Sequence, residues 1–201
     1  MNTVQIQPER ILRESNRSNT DRPAVSRQPK ATLDFNSWEL DTLIDYILNT
    51  HHYFVWVNLP VIKEFALKTA RNQGEAYPQT IEVNRQFKEL ASLIEDHLIT
   101  QEYKVFPSIR QLAYAGRDAK WIELDNLDYL LQNLEAEHQC FKSKLNSIVS
   151  LLSSTKVARQ PDSLPNALLG KLKAFERDFI KLVNLESAFL FPKVLQLQRN
   201  I

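Results

Sequence analysis

The chain has 201 residues, 43% hydrophobic and 24% charged, with a formal net charge of +1. This composition is typical of one soluble globular domain and excludes a disordered chain or a membrane-spanning one. The near-neutral charge does not attract a phosphate backbone, and no apolar run approaches the roughly 20 residues that span a bilayer, so we expect no nucleic-acid and no membrane partner. The N-terminus has no secretory signal pattern and Cys140 is the single cysteine, which together predict a cytoplasmic protein without disulfides.

Glycine supplies only 3 residues, so glycine-rich phosphate loops are excluded and helices are favoured. Residues 1–35 contain arginines among Ser, Asn, Gln and Pro without a sustained apolar period. They predict a disordered N-terminal tail, either a solvated leader or an interaction arm.

A helical apolar period begins after residues 36–39, Asn-Ser-Trp-Glu, which have the layout of a capping box. Pro60 lies inside the first predicted helix and should bend it. The stripe of this helix contains Ile44, Leu48, His52, Val55, Leu59, Ile62 and Ala66.

Three further helices are predicted from the same period of three and four residues. The second carries Val83, Phe87, Leu90, Ile94, His97, Gln101 and Val105, and Gly116 closes its segment. The third carries Leu124, Leu127, Leu131, Leu134, His138, Phe141, Leu145, Ile148 and Leu152. After a loop over residues 153–165, the fourth carries Leu168, Leu172, Phe175, Phe179, Leu182, Glu186 and Phe189. We therefore predict an all-α, up-down-up-down four-helix bundle over residues 36–201.

The bundle has an internal repeat. Phe106-Pro107 follows His97 at the spacing with which Phe191-Pro192 follows Leu182, an offset of about 85 residues, and similar residues precede His52 and His138. This pattern indicates a duplicated helical hairpin.

Polar residues interrupt all four apolar stripes at similar depth. They are His52, His97, Gln101, His138 and Glu186. Buried imidazoles and carboxylates need hydrogen-bond partners or a metal, and iron or manganese accepts both ligand types. The alternative is a hydrogen-bonded polar cluster without metal.

The motifs resemble the hemerythrin-like (HHE) cation-binding family, and within it the di-iron proteins for repair of iron centres, the YtfE/ScdA type. The resemblance covers about residues 40–196. Its motifs are Thr50-His51-His52 with Leu59-Pro60, His97 with Phe106-Pro107, Glu135-Ala136-Glu137-His138, and Leu185-Glu186 with Leu190-Phe191-Pro192.

The resemblance implies four metal ligands, one from each helix: His52, His97, His138 and Glu186. Two family ligands are replaced, a helix 2 carboxylate by Gln101 and a helix 4 histidine by Leu182. Leu182 removes a nitrogen donor from the half between helices 3 and 4, so we expect that position to be the weaker. The half between helices 1 and 2 keeps His52 and His97 and could share Glu186.

Five neighbouring residues have secondary expectations. Gln101 and Glu137 are accessory candidates, while Glu102 is turned about 100° from Gln101 and is a poor substitute without a local bulge. His51 is expected at a helix interface or the surface. Cys140 lies off the stripe, and we expect it to be a structural or surface thiol.

The resemblance implies a non-haem iron protein of iron–sulfur cluster repair, active under oxidative or nitrosative stress. Its cofactor would be iron, two ions in the family and one or none here, with manganese or zinc as alternatives. Damaged iron–sulfur proteins would be partners, and O₂ or NO would be small ligands. The alternative function is a metal-free bundle acting as a binding or regulatory module. A zinc hydrolase is the third possibility, with Glu137 as its sole general-base candidate, so the sequence leaves enzymatic activity uncertain.

Overall fold

Four long helices form the protein in a computed structural model that describes residues 33–115 and 127–199. Helix α1 consists of Leu40–Tyr46, a π-helical segment Ile47–His52 and Tyr53–Gln73. Helix α2 consists of Gln79–Thr100, a π-helical segment Gln101–Val105 and Phe106–Ala115. Helix α3 is Leu127–Ser154, and α4 consists of Leu164–Leu185, a π-helical segment Glu186–Leu190 and Phe191–Arg199. Short 3₁₀ turns occupy Phe35–Ser37 and Val157–Arg159.

Each long helix packs against two others, in the cyclic order α1, α2, α3, α4. Short connections over residues 74–78 and 155–163 make the joined helices antiparallel. The predicted all-α, up-down-up-down bundle is confirmed, and no strand occurs within the described ranges. The predicted tail up to residue 32, Gly116 and Leu124 lie outside them. No helix among the described residues is both long and apolar enough to cross a membrane.

The start of α1 differs from the predicted capping box. The Asp34 carboxylate accepts the backbone N–H of Asn36 at 3.1 Å and caps the 3₁₀ turn. Trp38 then takes an extended conformation, with ψ of 139°, and interrupts the helical path. Helix α1 begins only at Leu40, and its N-cap residue Glu39 makes no side-chain capping bond.

The three π-helical segments change which residues face the core. A π-helical segment widens the turn by one residue and shifts the register of the helix beyond it. Leu48 and Phe189, both predicted to point inward, are half-buried, whereas Ile47 and Leu190 are fully buried. Two positions of the predicted stripes are therefore wrong, for the same physical reason.

The core below the π-helical segments is rich in phenylalanine. Phe175 lies in ring contact with Phe54, Phe87 and Phe179, at centroid distances of 6.2 to 6.4 Å. The rings of Phe87, Phe175 and Phe179 are fully buried. This packing fixes the spacing of α1, α2 and α4 beneath their polar residues.

Candidate metal centre

Glu186 is the central polar residue of the bundle. It begins the π-helical segment of α4 and its side chain has no solvent exposure. One carboxylate oxygen, Oε1, accepts a hydrogen bond from Gln101 Nε2 at 2.8 Å and lies 3.9 Å from His52 Nε2. The other, Oε2, lies 2.9 Å from His138 Nε2. The carboxylate therefore faces two sides at once, as a bridging ligand does.

His97, His138 and Glu186 form the tightest group. Their ligand atoms all lie within 4.8 Å of one another, and the two Nε2 atoms are 3.1 Å apart. Two histidines and one carboxylate at this spacing can converge on one divalent metal ion, and iron, manganese and zinc all accept these ligand types.

The division of the ligands differs from the expectation. The sequence predicts that His97 pairs with His52, but His97 Nε2 lies 3.1 Å from His138 Nε2. His52 lies on the Oε1 side, next to Gln101. Leu182, one turn before Glu186 on α4, is buried and offers no ligand atom.

Carboxylates lie behind all three histidines. His52 Nδ1 is 2.9 Å from Glu102 Oε1, and His97 Nδ1 is 2.6 Å from Glu137 Oε2. His138 Nδ1 is 3.7 Å from Glu135, too far for a hydrogen bond. A neutral imidazole that donates through Nδ1 carries a lone pair on Nε2. In that tautomer the rings of His52 and His97 point Nε2 lone pairs at the bundle centre, as metal ligands do.

Several buried polar atoms of the centre lack hydrogen-bond partners. His52 Nε2, Gln101 Oε1 and Glu186 Oε2 have none among the described residues, and neither does His138 Nδ1, on the side of its ring toward Glu135. The 2.9 Å approach of His138 Nε2 to Glu186 Oε2 is close but lacks hydrogen-bond alignment. Orphaned buried acceptors are costly, at about 1–3 kcal/mol each. A cation bound between them would satisfy them, so the residues present fit a metal.

Phenylalanine rings enclose the three histidines. Phe106 lies 5.5 Å from His52 and Phe141 lies 5.3 Å from His97, both between ring centroids. Phe191 stacks on His138 at 6.0 Å. These apolar contacts lower the polarity around the imidazoles, which strengthens electrostatic interactions within the centre.

The pKa values of the central groups are shifted toward their charged forms. Burial alone would raise the pKa of Glu186, but the neighbouring imidazoles of His138 and His52 outweigh it and lower the pKa to about 2. Burial likewise opposes a charged His52, yet Glu102 and Glu186 raise its pKa above the usual 6.5. The centre stabilises positive charge next to Glu186.

We expect the metal-free and metal-loaded proteins to have opposite pH dependences of thermal stability. His52 stabilises the metal-free fold below pH 6.5, and this contribution is lost as pH rises through its raised pKa. Glu186 stabilises the fold above pH 4.5, its usual pKa, and this stabilisation is lost as the pH falls toward its lowered pKa of about 2. Melting of chelator-treated protein should therefore be highest between these values and lower at about pH 8.

With metal bound, protons compete with the ion for Nε2, so the melting temperature should instead rise from about pH 5.5 to about pH 8. Melting curves of both forms across this range check the prediction. Parallel pH profiles for the two forms would contradict it.

The remaining predicted residues lie around the centre. Gln101 is fully buried inside it, and Glu137 lies outside, hydrogen-bonded to His97. His51 lies at the interface of α1 and α4, with Nδ1 3.1 Å from Asp178 Oδ2. Cys140 is exposed and unpaired with any other cysteine.

Glu102 is the residue whose role was not anticipated. A regular helix would turn it away from the site, so the helical period predicts no contact with the ligands. The π-helical segment Gln101–Val105 supplies the bulge that lets Gln101 face the centre while Glu102 contacts His52. The one usable signal in the sequence was a carboxylate directly after the stripe position Gln101.

Fold and centre define a four-helix bundle with a buried histidine and carboxylate cluster suited to a metal ion. The chain is 24% identical over 198 residues to the iron-sulfur cluster repair protein YtfE of Yersinia pestis strain Pestoides F, covering 92% of this chain and 83% of that protein. YtfE of Yersinia pseudotuberculosis serotype IB strain PB1/+ matches with the same identity and coverage. No family model matches the chain. The chain is related to YtfE-type proteins, which confirms the resemblance seen in its motifs.

Proposed function

We propose that this protein is a hemerythrin-like, non-haem iron protein of the iron–sulfur cluster repair type. It would act in the cytoplasm under oxidative or nitrosative stress, with damaged iron–sulfur proteins as partners. The unpartnered buried polar atoms around Glu186 carry the proposal, because a bound cation would supply the partner that they lack. The names of the YtfE relatives support iron and cluster repair.

The ligand set follows from the two sides of Glu186. His97, His138 and Glu186 Oε2 would hold the stronger position, and His52, Glu186 Oε1 and Gln101 Oε1 a weaker one. The neutral amide of Gln101 contributes no charge, and Leu182 contributes no donor. Glu186 is the common ligand, so this HHE-type centre would be an asymmetric form of the family's di-iron site, with manganese or zinc as competing ions.

A bound iron would supply coordination positions for O₂ or NO and would be a labile ion for a damaged cluster. The residues of this chain bind it, surround the imidazoles with the rings of Phe106, Phe141 and Phe191, and keep two imidazoles oriented by carboxylates. Leu182 leaves one side of the centre short of a ligand, which favours release over permanent binding. In domain terms, residues 36–201 would carry this activity and residues 1–35 would be a tail.

A metal-free binding or regulatory bundle is the second candidate function. The hydrogen bond from Gln101 Nε2 to Glu186 Oε1 supports it, because it partly satisfies the carboxylate that a metal would otherwise bind. The 3.1 Å contact between the Nε2 atoms of His97 and His138 could likewise be one hydrogen bond. This arrangement still leaves His52 Nε2 and Gln101 Oε1 without partners among the described residues.

Elemental analysis of anaerobically purified protein tests the proposal. We expect about one iron per chain in the wild type, and His97→Ala to lose most of it together with part of the thermal stability, since bound metal stabilises the folded state. His51→Ala is the matched control, because it removes a buried histidine outside the centre. Wild-type protein without metal after iron reconstitution would favour the metal-free alternative, whereas equal iron in His97→Ala would show that His97 is not a ligand.

A further inference from the structure

Glu102 connects two helices through a single oxygen atom. Its Oε1 accepts a hydrogen bond from Trp56 Nε1 at 2.9 Å and also lies 2.9 Å from His52 Nδ1. Both donors are on α1, one helical turn apart, while Glu102 belongs to α2. Its side chain is 23% exposed, whereas that of His52 is 1% exposed. Two side chains of α1 therefore hold the carboxylate in place at the edge of the centre.

The other two histidines have weaker support behind them. Glu137, the partner of His97, is 49% exposed and makes no second hydrogen bond among the described residues. Glu135 is 3.7 Å from His138 Nδ1, and its own hydrogen bonds are with Ser187 and Gln139. Among these three histidines, only His52 donates to a carboxylate that a further side chain anchors.

The proton on the His52 ring has two competing acceptors. Glu102 lies at Nδ1, and Glu186 Oε1 lies 3.9 Å from Nε2. A neutral imidazole carries one ring proton, so a proton on Nε2 would occupy the position from which His52 could bind metal. The shorter contact to Glu102 keeps that proton on the outer side.

We propose that Glu102, anchored by Trp56, is a positioning residue that keeps His52 in the Nδ1–H tautomer and offers its Nε2 lone pair beside Glu186. The inference rests on the proposed metal-binding function for its purpose, but the tautomer is a property of the metal-free protein. Outer carboxylates that orient ligating histidines affect metal affinity by about 10- to 100-fold. Glu102 also places a negative charge beside the centre, which the neutral amide of Gln101 does not supply.

The test uses metal-free protein with ¹⁵N-labelled histidine, at a pH where His52 is neutral. Two-bond ¹H–¹⁵N NMR correlations report which ring nitrogen of His52 carries the proton. We expect Nδ1–H in the wild type and a shift toward Nε2–H in Glu102→Leu, because Glu186 is then the remaining acceptor. Co(II) titration should show binding weakened by about 10- to 100-fold in this variant and less in Glu102→Gln, which retains an acceptor oxygen.

Trp56→Phe keeps an aromatic ring and removes only the donor to Glu102, so the Co(II) affinity should fall by an intermediate amount. This second variant keeps the test decisive if Glu102→Leu does not fold. Glu95→Leu is the matched control, because Glu95 binds Lys63 across the same two helices at 2.6 Å and is 28% exposed. An unchanged His52 tautomer with wild-type Co(II) affinity in folded Glu102→Leu would overturn the inference. If wild-type protein binds no metal, the proposed function fails, while the NMR measurement still decides the role of Glu102.

Discussion

Glu186→Gln should remove nearly all metal from the protein while the helices remain folded. Glutamine has almost the same volume, but it is neutral and binds metals weakly, and Glu186 is the residue that faces both sides of the centre. We expect metal affinity to fall by more than about 100-fold, beyond the loss typical of outer ligand partners. Iron per chain after anaerobic purification, with Co(II) titration and circular dichroism, measures the effect.

Glu64→Gln provides the control for this experiment, because Glu64 is a carboxylate on α1 that is 61% exposed and pairs with Lys68. It should retain the iron content of the wild type. If Glu186→Gln kept that content too, the assignment of Glu186 as the common ligand would be wrong.

The second large effect is expected from the double variant Gln101→Glu, Leu182→His, which supplies the two ligands that the family carries and this chain lacks. Two carboxylates would then face each other where Gln101 now donates to Glu186 at 2.8 Å. Without metal, the uncompensated buried charge should lower the free energy of unfolding by about 3–5 kcal/mol. With iron, the charge is neutralised and iron content should rise from about one to about two ions per chain.

Thermal melting with chelator and with Fe(II), together with iron analysis, checks both parts of this expectation. Leu172→His is the control, since Leu172 is a fully buried leucine of the same helix at a level without other ligands. It should destabilise the protein without adding iron. A double variant that gains no iron would show that the second position is not a metal site in this bundle.

The positions of the four helices could be predicted from the sequence because apolar residues at steps of three and four form one face of an α-helix. The polar residues within that period lie at similar depth along the bundle axis. They are His52, His97, Gln101, His138 and Glu186. The period contains no information on position across the bundle, so it could not show that His97 lies with His138 rather than with His52.

The π-helical segments were beyond the reach of local patterns. A π-helical turn exchanges regular helical bonds for wider ones, and tertiary contacts, such as the need to bury Glu186 and its partners, decide whether it forms. The altered burial of Leu48 and Phe189, and the turn of Glu102 toward His52, result from these segments. Sequence reasoning therefore identified the inner polar residues and missed Glu102, which contacts one of them.

The distribution of π-helical segments gives the four helices unequal freedom. The segments of α2 and α4 begin at Gln101 and Glu186, at equivalent positions of the two hairpins 85 residues apart, and α1 has one ending at His52, whereas α3 is regular throughout. Moving a widened turn by one residue rotates a side chain by about 100° without unfolding the helix. The orientation of His52, Gln101 and Glu186 therefore depends on where a widened turn lies, whereas that of His138, on a regular helix, does not. One helix of the bundle therefore has a regular register throughout, and three have a register that depends on a π-helical turn.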